Sequence, residues 1–378
     1  MVMRSRNRLL KVICGALASA VVGCRTACPP STNESFRLGP VPGPEDFEVQ
    51  TLGPGAPRFV VSSQDRSGDQ QAPGHLLTIS LVKEGDATPK PCALTNRGGC
   101  SFHPHGLSLV NLPAGGMRLY VINHHDLGDT GDCLRDAEVV RHAGKKKPIN
   151  SIEVYEPEGD GAWRMRERLL DPLLTRPNDV VALADGTLYV SNPAPTSLGQ
   201  LYEGLIGHGS SRVVMFDGKS WHLVPGSHRN PNGVAVDEAR RRLYVAMTAG
   251  RRLDVFALDG LGGATAPVKV GEIPVGSGVD NLSWGPEGPE GRTLWVAAHR
   301  SLWAFAKLGL AWQKGSAEKP LSPSEVFKIH LEGDTGTATC VFCDDGRRIS
   351  AASTAVLFDG NLYMGQVFEG FVLRYPFP

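Results

Sequence analysis

The chain has 378 residues, with 39 Lys+Arg against 39 Asp+Glu, 41% hydrophobic residues and 21% charged residues. This balance excludes wholesale disorder, and the lack of a basic surplus gives a nucleic-acid partner no electrostatic support. The 45 glycines and 28 prolines follow no collagen period and point to many turns between short strands.

In chain order, Arg4, Arg6, Arg8 and Lys11 precede an apolar run from Val12 to Gly23, and no acid occurs before Glu34. A basic region followed by a short apolar one is the layout of an export signal, here 1–23. The run is too short to cross a hydrocarbon core of roughly 30 Å as a helix. Ala20-Val21-Val22-Gly23 directly before Cys24 resembles a lipoprotein box. The expected outcomes are a membrane attachment through lipid on Cys24, plain cleavage giving a secreted or periplasmic chain, or an uncleaved anchor. Residues 24–40 read as a leader or closing segment. Cys28, Cys92, Cys100, Cys133, Cys340 and Cys343 then form an even set suited to disulfides in an oxidising compartment. Cys92 with Cys100 and Cys340 with Cys343 are two pairings the sequence leaves open. Only one CxxC is present, so a four-cysteine zinc site has no support.

From residue 41 onward the chain repeats itself. Six segments place an alternating apolar strand around an aromatic: Phe59, Tyr120, Tyr189, Tyr244, Trp295 and Tyr363, spaced 51 to 69 residues apart. Ten to fifteen residues before each aromatic, a second short strand opens on a polar residue: Glu45, His105, Asn178, Asn232, Asp280 with Asn281, and Ser353 with Thr354. Six hairpin-based units with little helical periodicity between them predict an all-β fold over 41–378, a six-bladed β-propeller with a central tunnel. Lys145-Lys146-Lys147 reads as solvated loop.

The innermost strand of each blade lines the tunnel, so the openers meet at one mouth. Strands disfavour Asn and Asp, and their recurrence at one structural point gathers carboxylate and amide oxygens, the hard donors that Ca²⁺ prefers. Glu45 and Asp280 carry two negative charges, enough for one divalent cation. Adjacent strand residues point in opposite directions, so Asp46 and Asp179 are expected deeper in the body, where a second Ca²⁺ would give them a partner. A metal-free network capping strand ends is the alternative. Asp280 and Asn281 are neighbours assigned to the same ion, which requires them to precede the strand.

Four of the 11 histidines, His103, His105, His124 and His125, fall within 23 residues. His105 opens one strand and His124 ends the next, so hairpin pairing brings the two together. One imidazole can take a proton from water and the other can orient and relay it. The competing reading is a histidine-rich zinc site, and His103 and His125 are otherwise spectators.

The ordered segments Gly43-Pro44-Glu45-Asp46, Phe102-His103-Pro104-His105-Gly106-Leu107-Ser108, Asn123-His124-His125-Asp126, Pro177-Asn178-Asp179-Val180, Asn232-Gly233-Val234, Val279-Asp280-Asn281-Leu282 and Trp295-Val296-Ala297-Ala298-His299 resemble the paraoxonase family of calcium-dependent lactonases and arylesterases. The resemblance spans roughly 40–375. It implies a propeller with two calcium ions. The catalytic ion would be held by Glu45, Asn178, Asn232, Asp280 and Asn281, and the structural ion by Asp46, Asp179 and the Leu107 carbonyl. It also implies a His105–His124 dyad and a pocket-wall His299. Two departures stand out. The chain ends Tyr375-Pro376-Phe377-Pro378 without the family's C-terminal cysteine, and Asp65-Arg66-Ser67-Gly68-Asp69-Gln70-Gln71 does not match its active-site lid. Blade closure must then rest on strand pairing or another bridge, and lipoprotein association loses support.

The function expected is hydrolysis of a small lactone or aryl ester. The rivals are a gluconolactonase-type sugar lactonase with one metal and no need of the dyad, and a non-catalytic calcium-stabilised propeller acting as a binding module. No P-loop, GxSxG elbow or dinucleotide fingerprint occurs. Asn281-Leu282-Ser283 fits a glycosylation pattern but lies in a proposed inner strand.

Overall fold

The computed structural model describes residues 34–53, 56–66, 72–82, 87–126, 129, 149–159, 161–194, 210–226, 228–258, 266–286 and 291–377. The export segment, Cys24, Cys28, Cys133, the 145–147 lysines and residues 67–71 lie outside the described residues.

The hairpin units are six antiparallel blades. The chain enters through β1 (Phe36–Leu38). Blade one is β2 (Pro44–Gln50), β3 (Arg58–Ser63), β4 (His75–Ser80) and β5 (Lys90–Pro91). Blade two holds β6 (Leu94–Thr95), β7 (Pro104–Asn111), β8 (Met117–His124), β9 (Asn150–Pro157) and β10 (Trp163–Leu170), with β6 added in parallel at its outer edge. Blade three is β11 (Val180–Ala182), β12 (Leu188–Asn192), β13 (Arg212–Phe216) and β14 (Trp221–Leu223). Blade four is β15 (Pro231–Asp237), β16 (Arg242–Met247), β17 (Arg252–Ala257) and β18 (Val268–Pro274). Blade five is β19 (Gly278–Trp284), β20 (Thr293–His299), β21 (Ser324–Glu332) and β22 (Thr335–Asp344), with helix α1 (Leu302–Gln313) between its second and third strands. Blade six is β23 (Ala352–Phe358), β24 (Asn361–Gln366) and β25 (Val372–Pro376), and β1 completes it as the outermost strand.

Strand pairing therefore closes the ring: Phe36, Arg37 and Leu38 face Arg374, Leu373 and Val372. The Arg37 guanidinium also lies 4.1 Å from the Phe371 ring centroid. Deleting the chain through Leu38 would leave β25 as an open edge. At roughly 1 kcal/mol per ladder bond, the truncated protein is expected to melt several degrees lower by circular dichroism. An unchanged midpoint would remove β1 from the closure.

The core is a ring of apolar clusters, one at each interface between neighbouring blades. Tyr120, Tyr189, Tyr244, Trp295 and Tyr363 each sit three residues past the opener in the paired register, opposite Ser108, Val181, Ala235, Ser283 and Val356. Phe59 breaks this phase. Glu48, three residues past Glu45, pairs with Val60, so Val60 packs toward blade two while Phe59 packs back on blade six against Tyr363. A one-residue slip exchanges the two faces of a strand.

Two further expectations change. The sequence shows only loops between strands, yet α1 forms, its N-cap Ser301 Oγ accepting from the Ala304 amide at 3.2 Å. Phe305 and Trp312 hold it against Phe368 of blade six. Cys92 and Cys340 are thiols, so neither of the two local bridges forms, and Cys100 and Cys343 are the disulfide-bonded members of those pairs. Among the described residues no helix is long and apolar enough to cross a membrane.

Candidate metal and histidine site

Five of the six inner hairpins break register at the polar opener. The shifts fall between Pro44 and Asp46, Pro104 and Leu107, Pro231 and Val234, Val279 and Leu282, and Ala352 and Thr354. A bulge places two successive residues opposite one partner and re-aims their side chains. This corrects the expectation for Asp280 and Asn281. They do not precede the strand but sit inside β19, and the bulge lets neighbours serve one site.

Glycine follows two of the openers for a steric reason. A Cβ on Gly106 would lie 2.5 Å from the Asn178 carbonyl oxygen, and one on Gly233 would lie 2.6 Å from the Asp280 oxygen and 2.7 Å from the Asn281 Cα. The next blade's Asn178, Asp280 and Asn281 thus press directly on the backbone. Gly233→Ala is expected to displace Asp280 and Asn281 and to cost about 1–3 kcal/mol, measured as a lower melting midpoint together with weakened calcium binding. Unchanged values for both would show that the contact is soft.

The five residues assigned to the first ion share one feature. Each is at least half-buried and leaves one side-chain oxygen without a hydrogen-bond partner: Glu45 Oε2, Asn178 Oδ1, Asn232 Oδ1, Asp280 Oδ1 and Asn281 Oδ1. The remaining polar atoms of four of them are engaged. Glu45 Oε1 lies 3.3 Å from His105 Nε2, and Asn178 Nδ2 donates to that nitrogen at 3.3 Å. His299 Nε2 and Asp280 Oδ2 are 2.7 Å apart, and Asn281 Nδ2 donates to the Glu45 carbonyl at 3.2 Å. Buried polar atoms in folded proteins rarely lack partners. Five orphaned oxygens and no orphaned donor among the same side chains form a set suited to a hard cation, so the residues fit Ca²⁺. Burial pushes the Glu45 carboxyl up, but His105 and Arg66 beside it more than compensate and hold it below its ordinary value. Burial raises Asp280.

Asp46 and Asp179 are buried as expected but are already satisfied. Asp46 accepts from the Phe47 and Leu107 amides, both at 2.9 Å, and Asp179 from the Val180 and Val234 amides, both at 2.7 Å. These bonds staple blade one to two and blade three to four. Leu107 meets Asp46 through its amide rather than its carbonyl. Burial and the Glu45 charge raise Asp46 to about 7; burial and the charge of Asp46 push Asp179 well up.

The histidines separate into distinct environments. His105 Nδ1 and His124 Nε2 are 2.9 Å apart, and His124 Nδ1 is 2.7 Å from Asn150 Oδ1. Asn150 was not anticipated from the sequence, since 26 residues separate it from His124 and no motif marks it. Its Nδ2 donates to the Leu174 and Thr175 carbonyls, which leaves Oδ1 to accept from His124. The neutral chain then runs one way. His124 Nδ1–H donates to Asn150, His105 Nδ1–H donates to His124 Nε2, and the basic lone pair is His105 Nε2. Burial drives His124 down to about 3, so it stays neutral and relays rather than stores charge.

His103 faces Gln64 and Asp126, and His125 faces Asp129 and Ser151, so no four-histidine zinc site assembles. Cys100, His125 and Asp129 have ligand atoms within 4.8 Å of one another, but Cys100 is disulfide-bonded and offers no thiolate. His299 is 1% exposed and stacks on Phe305 with ring centroids 4.0 Å apart. It is a buried support for Asp280, not an open wall. Asn281 is 2% exposed, which leaves no room for a glycan.

A family model described as arylesterase matches residues 132–372. The chain belongs to the arylesterase family. Among its relatives, serum paraoxonase/arylesterase 1 of Homo sapiens is 24% identical over 336 residues, covering 86% of this chain and 84% of the relative. Mechanosensory abnormality protein 6 of Caenorhabditis elegans is 24% identical over 277 residues, covering 71% of this chain but only 64% of that protein. The solved structure of the Malassezia sympodialis allergen Mala s 1 superimposes with a TM-score of 0.55 at 13% identity, covering 91% of this chain and 96% of that one, and shares the propeller fold.

Proposed function

We propose that this arylesterase-family chain is a calcium-dependent hydrolase of lactones and aryl esters. The observation that carries the reading is the set of five orphaned oxygens beside a histidine pair with a defined lone pair. Glu45, Asn178, Asn232, Asp280 and Asn281 would hold one calcium ion, and that ion, when bound, supplies Lewis-acid polarisation of a carbonyl and charge stabilisation of its oxyanion. A second ion at Asp46, Asp179 and Leu107 has no orphaned oxygen to recommend it, so the proposal is confined to the first.

His105 Nε2 accepts the proton of an attacking water, and its Nδ1–H bond to His124 keeps the acceptor lone pair turned to the mouth. On protonation His105 faces Glu45 at 3.3 Å, which stabilises the imidazolium. Asn150 holds His124 in the tautomer that permits this. A sugar lactonase would need the metal ligands but not this chain of imidazoles. The relatives' names support ester hydrolysis, and the export signal and lipid on Cys24 remain part of the proposal as an extracytoplasmic setting.

The test is a pH-stat panel of lactones of graded chain length, sugar lactones and phenyl acetate, run with calcium present. Turnover of both classes is the expected result. Turnover of sugar lactones alone would favour the rival enzyme, and none at all the binding module.

A further inference from the structure

At the end of β8 the two neighbouring histidines part company. His124 meets His105, while His125 is buried and meets two residues that hydrolysis does not use. His125 Nδ1 lies 3.0 Å from Asp129 Oδ2, and its Nε2 lies 2.8 Å from Ser151 Oγ. One ligand atom each of Cys100, His125 and Asp129 lies within 4.8 Å of the other two. Zinc bonds of about 2.0 Å to nitrogen or oxygen and about 2.3 Å to sulfur give tetrahedral edges of about 3.3–3.8 Å. The three atoms therefore need to shift little to share one ion, and a sulfur, an imidazole and a carboxylate are a donor set that suits Zn²⁺.

The surroundings hold these donors in usable states. Burial keeps His125 below its ordinary value, so the imidazole is neutral. Burial raises Asp129, but hydrogen bonds from Ser101 and His125 outweigh it and hold the carboxyl below its ordinary value. The Ser101 amide and hydroxyl fix Asp129 Oδ2 at 3.1 and 2.6 Å. Ser151 Oγ serves either tautomer of His125. It donates to Nε2 while Nδ1–H faces Asp129, and it accepts from Nε2–H when Nδ1 becomes a ligand. Only Cys100 is withheld, because its sulfur is disulfide-bonded. Cys100 and Ser101 line a cavity of about 290 Å³, which gives a hydrated cation room to reach the cluster.

We propose that Cys100, His125 and Asp129 form a zinc site that is blocked while the Cys100 disulfide stands and becomes competent when it is reduced. A dithiol supplies two electrons and two protons: the protein bridge becomes two thiols, and the dithiol leaves as its own disulfide. Zn²⁺ then displaces the Cys100 thiol proton to solvent, and the thiolate and the Asp129 carboxylate balance its charge. His125 Nδ1 is the third ligand and water the fourth. The ion ties Cys100 to the segment that follows His124, so the end of β8 is cross-linked in the reduced protein. The site takes no part in hydrolysis, and its test needs no substrate.

The full-length protein is reduced with a water-soluble phosphine in calcium-containing buffer and then given zinc or, separately, cobalt. Reduced wild type is expected to bind about one zinc per chain, to melt higher with zinc than without, and to show a thiolate-to-metal charge-transfer band with Co²⁺. The oxidised protein is expected to bind none. Cys100→Ser and His125→Ala are expected to abolish the cobalt band, and Ser151→Ala to weaken zinc binding about 10–100-fold. Cys92→Ser and Cys340→Ser, at the two thiols outside the cluster, are expected to change nothing. A melting curve accompanies each variant, and His125→Ala and Ser151→Ala carry the test if Cys100→Ser fails to fold. Equal zinc uptake by oxidised and reduced protein, or none by reduced protein, overturns the proposal. So does uptake that survives His125→Ala but is lost with Cys92→Ser or Cys340→Ser.

Discussion

Chelation of calcium is expected to abolish hydrolysis of every substrate and to lower the melting midpoint, with both restored by added calcium. Loss of a single oxyanion-stabilising contact typically costs about 10²–10³-fold, and removing the ion removes the whole of that contribution. Glu45→Gln and Asp280→Asn are expected to behave like partial chelation, raising the calcium concentration needed for half-maximal activity. A ligand present at a hundredfold its dissociation constant stabilises by about 2.7 kcal/mol.

The thermal effect has a defined pH dependence. Burial and neighbouring charges raise Asp46 to about 7 and Glu48 to about 8 in the metal-free protein. An acid whose folded pKa lies above its unfolded value of about 4 costs no stability below that value. It costs progressively more as the pH rises from that value to the folded pKa, and the cost is constant above it. The metal-free protein therefore carries an increasing penalty between about pH 4 and 8, and a bound cation relieves it by favouring the ionised carboxylates. The difference in melting midpoint between calcium-loaded and chelated protein should widen as the pH rises across this window. His124 acts with the opposite sign. Its pKa of about 3 in the fold makes it a cost to stability that grows as the pH falls below its unfolded value. That loss is common to both forms and drops out of the difference. A difference that stayed flat with pH, or full activity after chelation, would end the calcium reading.

The second large effect concerns the imidazole pair. His105→Gln is expected to lower kcat by about 10²–10⁴-fold, the ordinary range for a general base, with calcium affinity little changed. Because His105 Nε2 also touches Asn178 and Glu45, calorimetric titration of calcium must accompany the kinetics. Asn150→Ala should cost less, on the order of 10–100-fold, as is typical of a residue orienting a functional group. Asn150→Asp retains an acceptor for His124 Nδ1–H and should recover much of the loss. If His105→Gln kept the full kcat on lactones and aryl esters alike, the base would have to be sought elsewhere.

The comparison of Phe59 with Val60 shows how far a sequence can be read. Apolar alternation, the recurring aromatic and the polar opener were enough to count six blades, because each blade repeats the same burial problem at a spacing that one chain displays directly. The phase of blade one was not legible. Phe59 and Val60 are both apolar, and only the paired register decides which of the two faces which neighbour. The candidate oxygen donors were legible for a related reason. Polar residues are costly at strand starts buried in a tunnel, so Glu45, Asn178, Asn232 and Asp280 stand out against their own strands.

That Asp280 and Asn281 lie at a bulge within the strand was not legible, because a bulge depends on the partner strand. Asn150 was missed altogether. It reaches His124 from a segment that carries no motif, and its role depends on the Leu174 and Thr175 carbonyls that engage its amide. Nor did the sequence separate Asp46 from Glu45. Both are acids on one strand, but backbone amides from the next blade satisfy Asp46 while one oxygen of Glu45 remains bare. The one-dimensional pattern determined which residues are buried and how often the unit recurs, since burial is a local property of alternation. The fold alone decided which buried oxygens stay unpaired and which charges lie together, since those depend on distances between blades.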